Sequence, residues 1–238
     1  MEERSNGKSH YHWYTRWWGI VITVIFVILA GGFTGLVVSS AQKVFDEQTV
    51  GFTMGQGNSS SVNIANGDAA SSRDDPFFGN QAAQVVIVEF GDYQCPYCEE
   101  VFATVRQIMN QYRDQVLFVF RDYPVSDRHP LAQYAAEASM CAWEQGSNQY
   151  WALHDRMFLS QESLSRENII EWAEGAGLSV AEFTECLNSR KYQQEVLDDH
   201  NDGVNLGVRG TPTFFINGRK IEGVIPYDIF VQIIKSQL

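Results

Sequence analysis

A short buried strand, a Cys-x-x-Cys motif and a helix follow one another closely in the middle of this 238-residue chain. Residues 85–90 are apolar apart from Glu89 and rich in β-branched side chains, which predicts a central strand. The motif CPYC occupies residues 95–98, and apolar residues then recur at helical spacing over residues 101–112. Residues 116–120 predict a second strand. A strand, a helix and a strand in this order predict a parallel pair joined by a crossover.

The rest of the chain predicts an α/β sheet domain interrupted by helices. Residues from about 126 to 206 carry helical patterns and no convincing strand. Strands resume at residues 213–216 and 220–222, and Asn217-Gly218 between them predicts a hairpin turn that needs positive φ. Residues 226–238 predict a closing amphipathic helix.

An apolar segment near the N-terminus predicts a membrane anchor. Residues 17–42 contain no charged side chain. The run at 17–38 can cross a hydrocarbon core of roughly 30 Å as a helix, whereas signal-peptide cores span about 7–15 residues. A cleaved signal peptide stays open as an alternative, because small residues follow at 39–41. We therefore predict a cytoplasmic tail (1–16), a transmembrane signal anchor (17–40), a flexible linker rich in Gly, Ser and Asn (41–73) and a folded domain (74–238).

Charges on either side of the apolar segment predict its orientation. Arg4, Lys8 and Arg16 precede it, and Asp46 and Glu47 follow it. Positive charge stays on the cytoplasmic side, so we expect a single-pass protein of the cell membrane with its folded domain outside the cytoplasm. The net charge of −12 argues against nucleic acid as a partner, since phosphate binding needs clustered Lys and Arg.

The cysteine pair of the CPYC motif predicts thiol chemistry. A thiolate at Cys95 would face free backbone N–H groups and the positive end of the helix dipole, which lowers a cysteine pKa. Cys98 lies about one turn further in and would resolve a mixed disulfide formed at Cys95. A zinc site is disfavoured, because no second ligand pair accompanies the motif. An inert structural disulfide is also disfavoured, since so short a loop would add little stability.

Two segments together resemble a known family. EFGDYQCPYC at 89–98 followed by GTPT at 210–213 is similar to the DsbA-like disulfide oxidoreductases, in the branch that includes membrane-anchored bacterial thiol oxidases. The resemblance covers roughly residues 74–238 and implies a thioredoxin-like fold with a helical insertion. It also implies that Thr211-Pro212 forms a cis-proline loop beside the cysteines, where a trans proline opening a strand is the alternative. The expected substrate-binding residues are Pro96, Tyr97, Thr211 and Pro212.

The resemblance assigns one acidic residue and marks one departure. Glu89 takes the position of a buried acid beneath the cysteines, where it would relay a proton for Cys98; a solvated strand-end glutamate is the alternative. Tyr97 stands where the best-known oxidases carry a histidine that stabilises the thiolate, so strong oxidising power is in doubt. Glu99 and Glu100 suit a helix N-terminus but repel a thiolate.

The other two cysteines fall in the predicted helical insertion. An even cysteine count in an exported protein makes disulfides the default expectation. We predict a structural disulfide between Cys141 and Cys186, and a loop of roughly 45 residues would stabilise by about 3–4 kcal/mol. Two buried free thiols are the alternative.

The predicted function is a thiol–disulfide oxidoreductase that introduces disulfides into exported thiol-containing proteins through Cys95 and Cys98. The resemblance implies a quinone-linked membrane partner that reoxidises the pair, and no cofactor or metal is expected. Two alternatives remain open: a membrane-tethered reductase or isomerase, and a redox-inactive module that binds peptides or assists assembly.

Overall fold

The structure, a computed structural model, describes residues 75–238. The predicted tail, anchor and linker lie outside the described residues. None of the helices within the described range combines the length and the apolar character needed to cross a membrane.

Five strands form one sheet within residues 75–238: β1 (Phe77–Gly79), β2 (Val85–Gly91), β3 (Val116–Asp122), β4 (Thr213–Ile216) and β5 (Arg219–Glu222). Their order across the sheet is β1-β3-β2-β4-β5. β2 and β3 run parallel, as predicted, and every other neighbouring pair is antiparallel. The β4–β5 turn has positive φ at both Asn217 and Gly218, which confirms the predicted hairpin.

The helices of the described domain are α1 (Pro96–Gln111), α2 (Ala132–Gln145), α3 (Ser147–Leu159), α4 (Arg166–Gly175), α5 (Val180–Asn188), α6 (Gln193–Asn205) and α7 (Tyr227–Lys235). Helix α1 is the crossover between the parallel strands. Helices α2 to α6 and a short 3₁₀ turn at Gln161–Ser163 form the insertion between β3 and β4. The predicted α/β domain with a helical insertion is therefore confirmed.

The central strand β2 is buried along its whole length, and its two faces differ. Val88 and Phe90 belong to an apolar core on one side of the sheet. Glu89 points to the opposite side, because successive side chains alternate. Its neighbours in register are Phe120 on β3 and Phe214 on β4. Glu89 is only 4% exposed, so the alternative of a solvated strand-end glutamate is wrong.

Helix α6 lies within the predicted helical insertion, but apolar spacing did not mark it as a separate helix, and its buried face explains why. Val196, Asp199 and Gly203 face inward, so the helix lacks the apolar stripe that periodicity detects. Asp199 accepts a hydrogen bond from Arg121 of β3 at 2.9 Å. A Cβ at Gly203 would lie 2.7 Å from the Tyr123 ring, so only glycine permits this close approach. An ion pair and a glycine contact therefore dock a helix that apolar burial alone would not.

A disulfide joins two helices of the insertion. Cys141 of α2 and Cys186 of α5 are bonded, and their Cα atoms lie 5.9 Å apart. The prediction likewise placed both cysteines in the helical insertion. Both residues are buried, and the bond closes a loop with a sequence separation of 45.

Candidate active site

The turn between β2 and α1 is fixed by Asp92, which follows the end of the central strand. One carboxylate oxygen accepts from the Gln94 N–H at 2.7 Å. The other accepts from the Val125 N–H at 2.8 Å and lies 2.7 Å from His129 Nδ1. The Asp92 carbonyl accepts from the Cys95 N–H at 3.0 Å. Parallel strands bring their carboxyl ends to the same edge of the sheet, so the loop after β3 is within reach of this carboxylate.

Cys95 is the N-cap residue of α1, and Cys98 lies one turn further along the helix. The Cys95 carbonyl accepts from the N–H groups of Cys98 and Glu99 at 3.1 and 3.2 Å. Pro96 opens the helix at a position where its missing N–H costs no helical hydrogen bond. Both cysteines are free thiols in this structure, with exposed fractions of 5% for Cys95 and 1% for Cys98. The difference places Cys95 nearer to solvent.

The loop before β4 packs directly on Cys95. The Thr211–Pro212 peptide bond is cis. The Cys95 thiol donates to the Thr211 carbonyl oxygen at 3.2 Å. The Pro212 carbonyl accepts from the Gly223 N–H at 2.8 Å, which holds the loop to the end of β5. The Thr211 hydroxyl oxygen is buried and has no hydrogen-bond partner within the described residues, so it is available to a thiolate at Cys95.

The two thiols have pKa values shifted in opposite directions. A hydrogen bond from the Cys98 thiol is the main cause that lowers the pKa of Cys95 from 9.0 to about 6. The Thr211 hydroxyl and the first N–H groups of α1 lower it further, against an opposing effect of burial. Burial raises the pKa of Cys98 well above its ordinary value, and its hydrogen bond to Cys95 acts in the same direction. At neutral pH the pair therefore carries its negative charge on Cys95.

Glu89 lies beneath the cysteine pair in the sheet. Burial raises its pKa from 4.5 to about 8, and the negative charge on Cys95 adds to that shift. Its own charge contributes in turn to the raised pKa of Cys98. Near neutral pH Glu89 is thus largely protonated.

A groove of about 540 Å³ runs beside Cys95, between the first turns of α1 and the loop before β4. Tyr97, Thr211 and Pro212 line it, and Pro96 is exposed but does not. Tyr97 is 60% exposed although it is a large aromatic residue. The groove is further lined by Glu100, Arg209, Gly210, Thr213, Glu222, Gly223 and Val224.

Three residues that hold the active-site turn were missed from the sequence: Asp92, His129 and Gln161. Asp92 directly follows the predicted central strand, which is a place where functional side chains collect, so a signal for it existed. His129 and Gln161 lie in the insertion or just before it, and their contacts cross 37 and 66 residues of chain. No local pattern reveals such contacts.

Comparison with known proteins agrees with this architecture. The chain belongs to the thioredoxin family, whose model matches residues 71–236. Its described domain has the thioredoxin-like fold with the helical insertion between β3 and β4, as the resemblance implied. The membrane-anchored branch rests on residues that the structure does not describe.

Solved structures share the fold at low sequence identity. BdbD from Bacillus subtilis matches with a TM-score of 0.63 and 24% identity, covering 70% of this chain and 94% of that one. The thiol-disulfide exchange protein alpha-DsbA2 from Wolbachia pipientis matches with a TM-score of 0.66 and 21% identity, covering 72% and 91%. The catalytic domain of Proteus mirabilis ScsC matches with a TM-score of 0.62 and 24% identity, covering 74% and 96%.

Curated relatives match over part of their length. Na(+)/H(+) antiporter NhaA 3 from Salinispora tropica is 38% identical over 151 residues, which are 63% of this chain and 22% of that protein. Na(+)/H(+) antiporter NhaA 1 from Mycolicibacterium gilvum is 32% identical over 152 residues, 63% of this chain and 24% of that protein. The chain thus spans about a quarter or less of these relatives.

Proposed function

We propose that this protein is a thiol–disulfide oxidoreductase that introduces disulfides into exported proteins through Cys95 and Cys98. The opposite pKa shifts of the two thiols carry the proposal. A thiolate that is stabilised only after reduction favours the reduced protein, and a protein that favours its reduced form oxidises its substrates.

The reaction is a pair of exchange steps. A substrate thiolate attacks Cys95 Sγ, the Cys95–Cys98 bond breaks, and its electron pair leaves on Cys98, which takes a proton. Glu89 is the proton donor for that step, because it is buried beside the pair and largely protonated near neutral pH. A second substrate thiolate then attacks the substrate sulfur of the mixed disulfide and releases Cys95 as a thiolate. The substrate loses two electrons and the protein gains them.

The strength of the oxidant follows from the Cys95 pKa. Thioredoxin has a thiolate pKa near 7 and a potential of about −270 mV, whereas DsbA has about 3.5 and about −120 mV. A Cys95 pKa of about 6 lies between them. Interpolation between these two proteins gives a potential of about −230 mV, which would make the protein a moderate oxidant. Tyr97 in place of a cationic side chain supports the same expectation.

The cellular setting extends the proposal. The uncharged run at 17–38 tethers the domain to the membrane with its active site outside the cytoplasm, and a quinone-linked membrane partner reoxidises Cys95 and Cys98. The relatives named above as thiol-disulfide exchange protein and oxidised BdbD support the same chemistry for this chain. The moderate Cys95 pKa also favours a second candidate, a tethered reductase or isomerase that receives electrons through the membrane.

The deciding experiment equilibrates the full-length protein, kept in mild detergent, against glutathione buffers and measures the Cys95–Cys98 potential. The oxidised protein is then mixed with a two-cysteine peptide, and acid-quenched thiols are counted after alkylation. A potential of about −230 mV or less negative, with one equivalent of peptide oxidised, supports the proposal. A potential near −270 mV would instead favour the second candidate, the reductase. A Cys95→Ser variant that still binds peptide while the wild type oxidises none would indicate a binding module.

A further inference from the structure

We propose that the groove beside Cys95 selects substrate segments that carry Lys or Arg close to their cysteine, through Tyr97 and Glu100. The inference rests on the proposed function and assigns it a substrate class. Both residues lie on the first turns of α1, three positions apart, and both line the groove. Side chains at that spacing share one face of a helix.

The charged residues of the groove differ in whether they form ion pairs. Arg209 is bound to Glu222, with Nη2 to Oε2 at 2.9 Å and Nε to Oε1 at 3.3 Å. Lys220 Nζ lies 3.3 Å from the same Glu222 carboxylate. Two cations thus share the Glu222 carboxylate on that wall, whereas Glu100 on the α1 wall has no ion-pair partner among the residues that the structure describes. A segment that enters along α1 therefore meets an unpaired negative charge at Glu100.

Tyr97 strengthens the selection of a cation. Tyr97 is 60% exposed and lines the groove, so its side chain is open to a segment that enters there. The face of an aromatic ring attracts Lys and Arg, and the ring also covers their apolar stems. A cationic side chain can thus lie on Tyr97 while its charged end reaches the Glu100 carboxylate.

The position of Tyr97 and Glu100 determines which substrate residues they contact. Cys95 begins the same helix, two residues before Tyr97 and five before Glu100. The opposite wall of the groove is the Thr211–Pro212 loop, whose Thr211 carbonyl contacts the Cys95 sulfur. A substrate cysteine that reacts at Cys95 therefore brings its neighbouring residues, and not remote ones, over Tyr97 and Glu100.

The test compares two-cysteine peptides that differ only in Lys or Glu beside the reactive cysteine. The rate of thiol oxidation by the full-length protein is measured at low and high ionic strength. We expect the Lys peptide to react about three- to tenfold faster at low salt, as one exposed ion pair and one cation–π contact allow. The ratio should fall towards one in Glu100→Gln and decrease in Tyr97→Leu.

Glu99→Gln is the matched control. Glu99 is an exposed neighbour on the same helix that does not line the groove, and the substitution changes the net charge by the same amount. The inference is overturned if the wild type shows no preference, or if Glu99→Gln loses as much preference as Glu100→Gln. If the wild type oxidises neither peptide, the proposed direction fails. The same peptides in disulfide form, offered to the reduced protein, then decide the selectivity separately.

Discussion

Gln161 is hydrogen-bonded to the active-site turn across 66 residues of chain, because its side-chain amide donates to the Cys95 carbonyl oxygen at 3.1 Å. The same nitrogen donates to the Tyr93 carbonyl at 3.0 Å. Gln161 opens the 3₁₀ turn that follows α3, so the insertion is connected directly to the residue that reacts. The helical insertion therefore helps to hold the active-site turn in place.

Replacing Gln161 with Ala should destabilise the domain by about 1–2 kcal/mol, because two carbonyl groups lose a partly buried donor. Urea unfolding of the reduced protein measures the change. Gln194→Ala is the control, since the Gln194 amide bonds only to the exposed Asp198 one turn away. Equal losses in the two variants would show that the contact with Cys95 adds no stability.

The pKa of Cys95 should depend on its neighbours in a fixed order. Thiolate absorbance of the reduced protein should rise with a midpoint near pH 6. Cys98→Ala should raise the midpoint most, because the Cys98 thiol supplies the largest stabilisation, and Thr211→Val should raise it less. Cys95→Ser should abolish the transition. A wild-type midpoint near 9, or a larger effect from Thr211→Val, would contradict this order.

Glu89 should make the reduced protein less stable as the pH rises. Its pKa is 4.5 when exposed in the unfolded chain and about 8 when folded, so the folded state holds more protons between these values. Stability is therefore fully present below pH 4.5 and is lost as the pH rises through 8. Glu89→Gln removes this dependence, and its advantage should grow to at most a few kcal/mol, since each pKa unit is worth about 1.4 kcal/mol.

Urea unfolding of Glu89→Gln at pH 5, 7 and 9 tests this expectation. Glu174→Gln serves as the control, because it removes an exposed carboxylate from α4 and changes the net charge equally. A wild-type stability that stays parallel to that of Glu89→Gln over the whole range would contradict the buried-acid assignment.

Removing the Cys141–Cys186 bond should cost stability and spare the chemistry. The double variant Cys141→Ala with Cys186→Ala should lose about 2–4 kcal/mol, since the bond restrains a loop with a sequence separation of 45 in the unfolded chain. Cys95 should still react with a thiol reagent at the wild-type rate. The single variant Cys186→Ala breaks the same bond and should lose a similar amount; a stable single variant would point to lost packing in the double variant.

The parts of this molecule that are local in sequence could be predicted, and those that depend on distant contacts could not. Residues 85–120 contain their own strand, motif, helix and strand, so the parallel pair and the placement of the cysteines were evident. The three-residue strand β1 is too short for a periodic pattern, and its pairing with β3 is a long-range contact. Helix α6 likewise leaves no apolar periodic pattern, because its inward face contains Asp199 and Gly203.

The candidate site follows the same rule. Cys95, Cys98 and Glu89 lie within one strand–helix unit, so they are close in sequence as well as in space. The hydrogen-bond support of the turn comes from His129 and Gln161, which no spacing rule connects to it. Asp92 could have been found, because it stands at the carboxyl end of a central strand.

The position of the helical insertion has a consequence for how such a protein can diversify. Glu89 and both reacting sulfurs precede the insertion, whereas Arg209 to Thr213 and Glu222 to Val224, which form the second wall of the groove, follow it. The reacting residues and most of that wall are therefore encoded in separate stretches of the gene, with Thr211 as the exception, because it also contacts the Cys95 sulfur. Natural variation or engineering can change the wall outside the Thr211–Pro212 loop with a few codons near the end of the chain, and leave the residues of the electron-transfer chemistry in place.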